Sequence, residues 1–475
     1  MRQAKDWLER PAMSLLFFIA LLFLIRIFLR SQILELDEAE QVVMAQHLLP
    51  GYPNQPPLYS WLQYGFFKIF GLHLFSIALL KYGLIYGCLY CFHQICRLHC
   101  QNNLLAWCAT CSWAFLPAIS LDLVKDNTHS VLALFSACVT WYWFVTPSRL
   151  SKSMWYLIFG LIIGAGALAK FNYLLFLIIL LISALTVEDY RKKLINSYSW
   201  LSIVVVLFMT FAYTSWLFSH SDTGLHAIYK LVPDDKKQWQ GILDLTIGLV
   251  SFIVPSFVIS TLFFPIKQLP KQQTVPNTLL IRYHLICLPF LATFVLMAGL
   301  RCFETRWLLP LLFLCPVLYF SQLTFRKEFL LGAKHFLRLC FLVQLILIAA
   351  LVYRSHYGKR SEFPLNQMVE TIKVEHQSIV HLVSDAHSYW LLGNLMMKLS
   401  LNQGWLIDSY QSLSELPKHN CLLVWEYTEP PQWVNYFIQS RPQSRFKLIE
   451  NINNHMVMGG SVYLNRVNQA TTSSQ

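Results

Sequence analysis

Apolar runs about twenty residues long recur along this chain, and they limit its possible folds more than any other feature. The first, residues 11–30, carries no charge before Arg26. A helix of roughly 20 such residues, rising 1.5 Å each, spans the ~30 Å hydrocarbon core of a bilayer. Charged residues make up 13% of the 475-residue chain, where a soluble domain carries about 25%. A disordered chain is thereby excluded, and a soluble enzyme is disfavoured. The sequence is that of a polytopic α-helical membrane protein. Its net charge of +12 does not point to nucleic acid, because basic residues of membrane proteins gather in cytoplasmic loops.

About eleven spans are expected, near 11–30, 72–93, 104–121, 127–146, 154–169, 171–187, 199–218, 242–264, 284–300, 307–323 and 335–353. The first is read as a retained anchor, since no small-residue cleavage site follows in Arg30-Ser31-Gln32-Ile33-Leu34-Glu35. With the N-terminus cytoplasmic, Lys and Arg favour the inner segments over the outer loops by roughly two to one. The apolar stretch from Met154 to Val187 is interrupted by Lys170. Read as a hairpin of two short arms, it keeps Arg191-Lys192-Lys193 inside and puts Lys170 at the outer tip. An odd number of spans then places the C-terminus outside.

The expected organisation is a membrane domain over 1–353, including an outer loop at 31–71, followed by an extracytoplasmic α/β domain over 354–466 and a disordered tail at 467–475. Strand-like runs at 379–384, 406–408, 421–425, 446–449 and 462–464 alternate with helical patterns at 389–399 and 431–439. The C-x-x-C pairs Cys88/Cys91 and Cys108/Cys111 fall inside expected spans and read as small apolar packing residues. Cys302 and Cys421 are both expected outside, where a disulfide can form. No zinc ligand set is evident.

The outer loop of roughly 40 residues is too long for a simple connector. It opens with Asp37-Glu38-Ala39-Glu40 and continues through Asn54-Gln55-Pro56-Pro57-Leu58-Tyr59. Asp37 and Glu38 read either as a solvated helix end or as carboxylates tuned by low-dielectric surroundings. Asp126 reads as a helix N-cap, as part of a site, or as both. Lys170 needs an anionic partner, which is either an acid such as Asp37, Glu38 or Asp126, or the phosphate of a bound lipid. Arg301 and Arg306 read as interfacial snorkellers or as further phosphate ligands. Lys81, within the second span, reads as paired or snorkelling.

In this order the pieces resemble the GT-C glycosyltransferases, and more narrowly glycosyltransferase family 39, the protein mannosyltransferase and lipid A aminoarabinose transferase group. The matching elements are Asp37-Glu38 after the first span, Asn54-Gln55-Pro56-Pro57-Leu58, and Lys125-Asp126 before the fourth. They continue with Gly164-Ala165-Gly166-Ala167-Leu168-Ala169-Lys170-Phe171 and Arg306-Trp307-Leu308-Leu309-Pro310. The ordered set covers about residues 1–320, and the C-terminal domain matches in position alone. The resemblance implies an inner-membrane enzyme that moves a sugar from a polyprenyl-phosphate carrier to a glycolipid, glycan or protein on the outer side, with inversion. It makes Asp37 the base and gives Glu38, Asn54, Gln55, Tyr59 and Asp126 to the acceptor and sugar. Lys170, Arg301 and Arg306 go to the donor phosphate. No cofactor is required, although the outer acids are capable of binding a divalent ion. Two departures stand out. Neutral Asn54-Gln55 replaces a charged pair, and Glu40 stands where the aminoarabinose enzymes tend to carry Arg, so phosphate contacts or substrate choice differ. A transporter or flippase for a polyprenyl-linked substrate, and a non-catalytic scaffold, are the rival readings.

Overall fold

The computed structural model describes residues 10–221, 231–233, 235–266, 273–357, 360, 363, 365–375, 381–385, 388–401, 403–407, 421–425, 431–439, 445–449 and 459–464. The expected disordered tail lies outside them, as do Arg2, Lys5, Lys230, Lys267 and Lys271 from the charge count.

The helices run in order: α1 Pro11–Phe28, α2 Leu36–Met44, α3 Leu58–Phe70, α4 Leu74–His99, α5 Asn103–Cys111, α6 Thr128–Val145, α7 Lys152–Ala167, α8 Phe171–Leu185, α9 Glu188–Leu194, α10 Ser199–Ser219, α11 Gln238–Phe263 and α12 Val275–Met297. There follow the short pieces α13 Leu309–Leu312 and α14 Cys315–Ser321, then α15 Phe329–Tyr357. Among the described residues seven helices are long and apolar enough to cross a membrane, or up to nine if each of two bent pairs is one span. Lys152–Ala167 is a shorter apolar helix. The break expected at Lys170 is present, separating α7 from α8. The stretch expected as one span at 307–323 is instead a 3₁₀ turn, Thr305–Leu308, followed by α13 and α14. Pro310 and Pro316 sit at the starts of those two helices, where a missing N–H costs nothing.

The chain forms two compact units. The first comprises residues 1–29, 49–59 and 78–352. Its helices leave large apolar side chains uncovered, such as Phe208 at 84% and Leu262 at 76% exposure. Water does not tolerate so much contiguous apolar surface, and lipid does. Packing between its helices follows the membrane rule that small residues admit close backbones. A Cβ on Gly160 would stand 2.8 Å from Ser202 O, so α7 and α10 meet there almost backbone to backbone. Ser202 Oγ seals the contact by donating to Tyr156 O at 2.6 Å.

The second unit comprises 30–48, 60–77 and 353–475. It adds α16 Leu365–Glu375, α17 Tyr389–Leu399 and α18 Gln432–Gln439 to strands β1 His381–Asp385, β2 Gly404–Ile407, β3 Cys421–Trp425, β4 Arg445–Ile449 and β5 Gly459–Leu464. The sheet order is β2-β1-β3-β5-β4. β1 pairs in parallel with β2 and β3, while β5 is antiparallel to both neighbours. Every residue of central β3 is buried, which explains its continuous Cys-Leu-Leu-Val-Trp run. All twelve cysteines, Cys302 and Cys421 included, lie outside any disulfide.

Candidate active site

In the membrane unit, three segments distant in sequence converge on the first turn of α6. The first is the α7–α8 break. Lys170 caps α8 in an extended conformation. It is 8% exposed, and its Nζ donates to Ser130 Oγ at 2.8 Å. The second is the 3₁₀ turn Thr305–Leu308. Arg306 Nη1 reaches Asn127 Oδ1 at 3.5 Å, at the outer limit of a hydrogen bond, and Arg306 also pairs with Glu304. The third is the Pro-Pro-Leu-Tyr element. Leu58 N donates to Leu168 O at 3.0 Å, and buried Tyr59 packs on the His129 ring with centroids 5.3 Å apart. His129 also lies within electrostatic reach of Lys170.

Local geometry sets this convergence. Asn127 precedes α6 at φ 65°, in the left-handed region, which Asn tolerates better than most side chains. Asn172, the second residue of α8, donates from Nδ2 to Trp307 O at 3.1 Å, tying the turn that bears Arg306 to the helix that Lys170 opens. Helix N-termini carry unsatisfied N–H groups and a partial positive charge. With two cations bonded to residues 127 and 130, this locus can hold an anion such as phosphate.

Other expected members lie differently. Arg301 donates from Nη1 to Pro233 O at 2.9 Å, fastening its own loop to the 231–233 turn. Asp126 ends the short turn Leu123–Lys125, with its amide donating to Asp122 O, and the N-cap position of α6 falls to the next residue, Asn127. Asn54 also takes a left-handed φ, 69°, and Gln55 N closes the turn on Pro53 O at 2.9 Å. The same unit holds an apolar cavity of about 280 Å³ lined by Leu15, Ile19, Leu22, Leu89, Leu123 and Phe341 among others. Hydroxyls along it are spent on their own helices, Thr110 on Ala106 O and Ser120 on Leu116 O. That leaves a lining suited to a lipid chain.

The acids of the outer loop belong to the second unit. Asp37 occupies the first turn of α2 and is half-buried. Its neighbour Glu38 is fully buried and accepts from Glu35 N at 3.2 Å, completing a capping box. Glu35 in turn pairs with Arg30 at 3.2 Å. Gln41, one turn beyond Asp37 on the same face, accepts from Ser60 Oγ at 2.9 Å. Among the described residues no cluster of three His, Cys, Asp or Glu is arranged to hold a metal ion.

Sequence reasoning missed Asn127, His129, Ser130 and Asn172. Asn127, His129 and Ser130 begin α6 and Asn172 begins α8, single polar residues that form no pattern with the cations in the sequence.

Residues 54–216 match the family described as dolichyl-phosphate-mannose-protein mannosyltransferase. The chain is 28% identical over 383 residues to the lipopolysaccharide core galacturonosyltransferase RgtB of Rhizobium johnstonii, covering 77% of this chain and 76% of that protein. It is 27% identical over 318 residues to RgtA of the same organism, which bears the same description, covering 64% and 63%. In fold it is similar to the crystal structure of ArnT from Cupriavidus metallidurans in the apo state, at TM-score 0.65 and 10% identity, across 97% of this chain and 98% of that one. The undecaprenyl phosphate-bound form of ArnT superposes at TM-score 0.60 and 10% identity, over 94% and 97%.

Proposed function

We propose that the chain is a membrane glycosyltransferase of the GT-C class that moves a hexuronic acid from a polyprenyl-phosphate carrier to a glycolipid core sugar. The observation that carries the donor assignment is the convergence of Lys170 and Arg306 on the first turn of α6. The names of the curated relatives support galacturonate as the sugar and lipopolysaccharide core as the acceptor. ArnT, whose fold is similar, has been crystallised with undecaprenyl phosphate, which supports the class of carrier.

In this reading Lys170 and Arg306 hold the donor phosphate, with Arg301 as a further cation. Phosphate is a competent leaving group, so stabilising its charge matters more than protonating it. Asp37 takes the proton of the attacking acceptor hydroxyl, a contribution of about 10²–10⁴-fold. The C–O bond to the phosphate breaks as the bond to the acceptor oxygen forms on the opposite face, inverting the anomeric carbon without a covalent intermediate. Asn54, Gln55, Tyr59 and Asp126 serve the acceptor and sugar, while Glu38 holds the start of α2 in shape. The protein sits in the inner membrane with its N-terminus cytoplasmic and the sheet domain periplasmic.

Purified protein, radiolabelled polyprenyl-phosphate galacturonate and a truncated core glycolipid provide the test. Wild-type protein transfers label, and Asp37→Asn loses about 10²–10⁴-fold in turnover while remaining folded. Full turnover in that variant removes Asp37 as the base. Carrier movement across vesicles without any transfer replaces the enzyme with a flippase.

A further inference from the structure

α3 carries a polar pair, Ser60 and Gln63, on one face of a helix that is apolar and aromatic except for Lys68 in its last turn. Gln63 is fully buried. Among the described residues neither its Nε2 nor its Oε1 has a hydrogen-bond partner. An amide offers two donors and two acceptor lone pairs, and leaving all of them unused in a buried site is costly enough to be rare in native proteins.

The surroundings give this amide a direction. Ser60 lies one turn before Gln63 and therefore on the same face. Its hydroxyl donates to Gln41 Oε1 at 2.9 Å, and Gln41 shares a face of α2 with Asp37, one turn away. A polar line thus runs from Asp37 through Gln41 and Ser60 to Gln63, entirely within the second unit. All but Asp37 are uncharged side chains able both to donate and to accept.

We propose that Gln63, with Gln41 and Ser60, forms a subsite that reads adjacent hydroxyl groups on a hexose-type ring. The carboxamide donates to one hydroxyl oxygen and accepts from its neighbour. This rests on the reading of the protein as a sugar transferase, and the ring belongs either to the donor or to the acceptor.

The test is steady-state transfer by the full-length protein, with donor and acceptor varied separately, for wild type and Gln63→Leu. The expected result is a rise in KM of about 10–100-fold, as for the loss of two hydrogen bonds, for one substrate only. A rise for the donor places its sugar in the subsite, and a rise for the acceptor places the core sugar there. Should Gln63→Leu fold poorly, a series of deoxy-sugar substrates on wild-type protein serves instead. One or two adjacent deoxygenations lower kcat/KM by about tenfold or more, and the same deoxygenations cost Gln63→Met nothing further. Gln63→Leu or Gln63→Met with wild-type KM for both substrates, or a flat deoxy series, overturns the subsite and leaves the enzymatic reading intact. A wild-type protein that transfers no sugar overturns both.

Discussion

Gly393 of α17 is a place where a single methyl group should be costly. A Cβ there would stand 2.3 Å from Ala39 O and 2.8 Å from both Ala39 C and Ala39 Cα. Ordinary contact begins at 3.4 Å, so α17 and α2 would have to part by 3.4 − 2.3 = 1.1 Å. No side chain can swing aside, because every atom met is backbone. Nor are the helices free to drift. Trp390 Nε1 donates to Leu34 O at 2.8 Å, and Leu34 N donates to Asn394 Oδ1 at 2.8 Å, one turn before Gly393 and immediately after it. Opening the gap stretches both bonds past useful length. Overpacking of this kind costs about 1–3 kcal/mol, and the helix-propensity gain of Gly→Ala returns at most about 1 kcal/mol. Net destabilisation of about 0–2 kcal/mol leaves the unit folded. Since α2 carries Asp37, a displacement near 1 Å should lower turnover by about 10²-fold. Gly393→Ala is therefore expected to keep its expression and donor KM, lose kcat by that factor, and exchange amide hydrogens faster over residues 36–44. Wild-type kcat with unchanged exchange would refute both the packing argument and the importance of where α2 stands.

Two further outcomes follow from single hydrogen bonds. Asn172→Ala removes the bond from α8 to Trp307 O, worth about 0.5–1.5 kcal/mol; the expected effect is a several-fold rise in donor KM with kcat nearly unchanged, read by steady-state kinetics against Asn172→Gln. His381 titrates below the ordinary histidine value because burial disfavours its charged form, and Trp405 Nε1 donates to its Nδ1 at 3.4 Å, which needs that nitrogen unprotonated. Above the unfolded value of about 6.5 both states are neutral and stability is full. As pH falls below it, the unfolded chain protonates first and stability declines until the folded ring also takes a proton. Tryptophan-monitored melting of the full-length protein should therefore show a loss as pH falls below about 6.5 that His381→Asn flattens; identical slopes would remove His381 as its source.

The sheet domain was legible because its cues are local. Short apolar runs at the ends of an ordinary charge density mark strands, and four of the five observed strands overlap the expected ones within two residues at either end. Apart from 104–121 and 307–323, which break into short pieces, the spans were legible because length and apolarity suffice. Residues 31–71 were not. They read as a loop, yet they fold into α2 and α3. α2 is nine residues long, too short to hold alone, and it depends on α17, some 350 residues later, and on a capping box whose N-cap is Glu35 rather than the usual Ser, Thr, Asp or Asn. In the candidate site, Lys170 and Arg306 stood out because cations in apolar sequence demand partners. Ser130 and Asn172 did not, because single hydroxyls and amides inside membrane helices satisfy no pattern. Glu38 shows the same difficulty: nothing in its sequence neighbourhood announces that its carboxylate accepts from the backbone of Glu35.

Each contributor to the proposed phosphate locus sits at a helix end: Asn127 before α6, Lys170 before α8, and Arg306 in the turn before α13. That placement has a physical cause. A regular helix in hydrocarbon satisfies its own backbone and excludes charge, at about 2.5–3.5 kcal/mol for a cation near the centre. Helix ends invert both conditions, since they free N–H groups and bring side chains toward polar surroundings. A membrane protein that must grip an anionic lipid headgroup therefore gains from breaking its helices, and the short arms α7 and α8 are such a break. The Gly-rich end of α7 suits this role. Gly166 admits the Tyr173 ring, whose atoms would lie 2.1 Å from a Cβ there. Tyr173 in turn shares a 2.8 Å hydrogen bond with Thr140 of α6, so the same contact that folds the hairpin also fastens α8 to the helix whose first turn Lys170 meets.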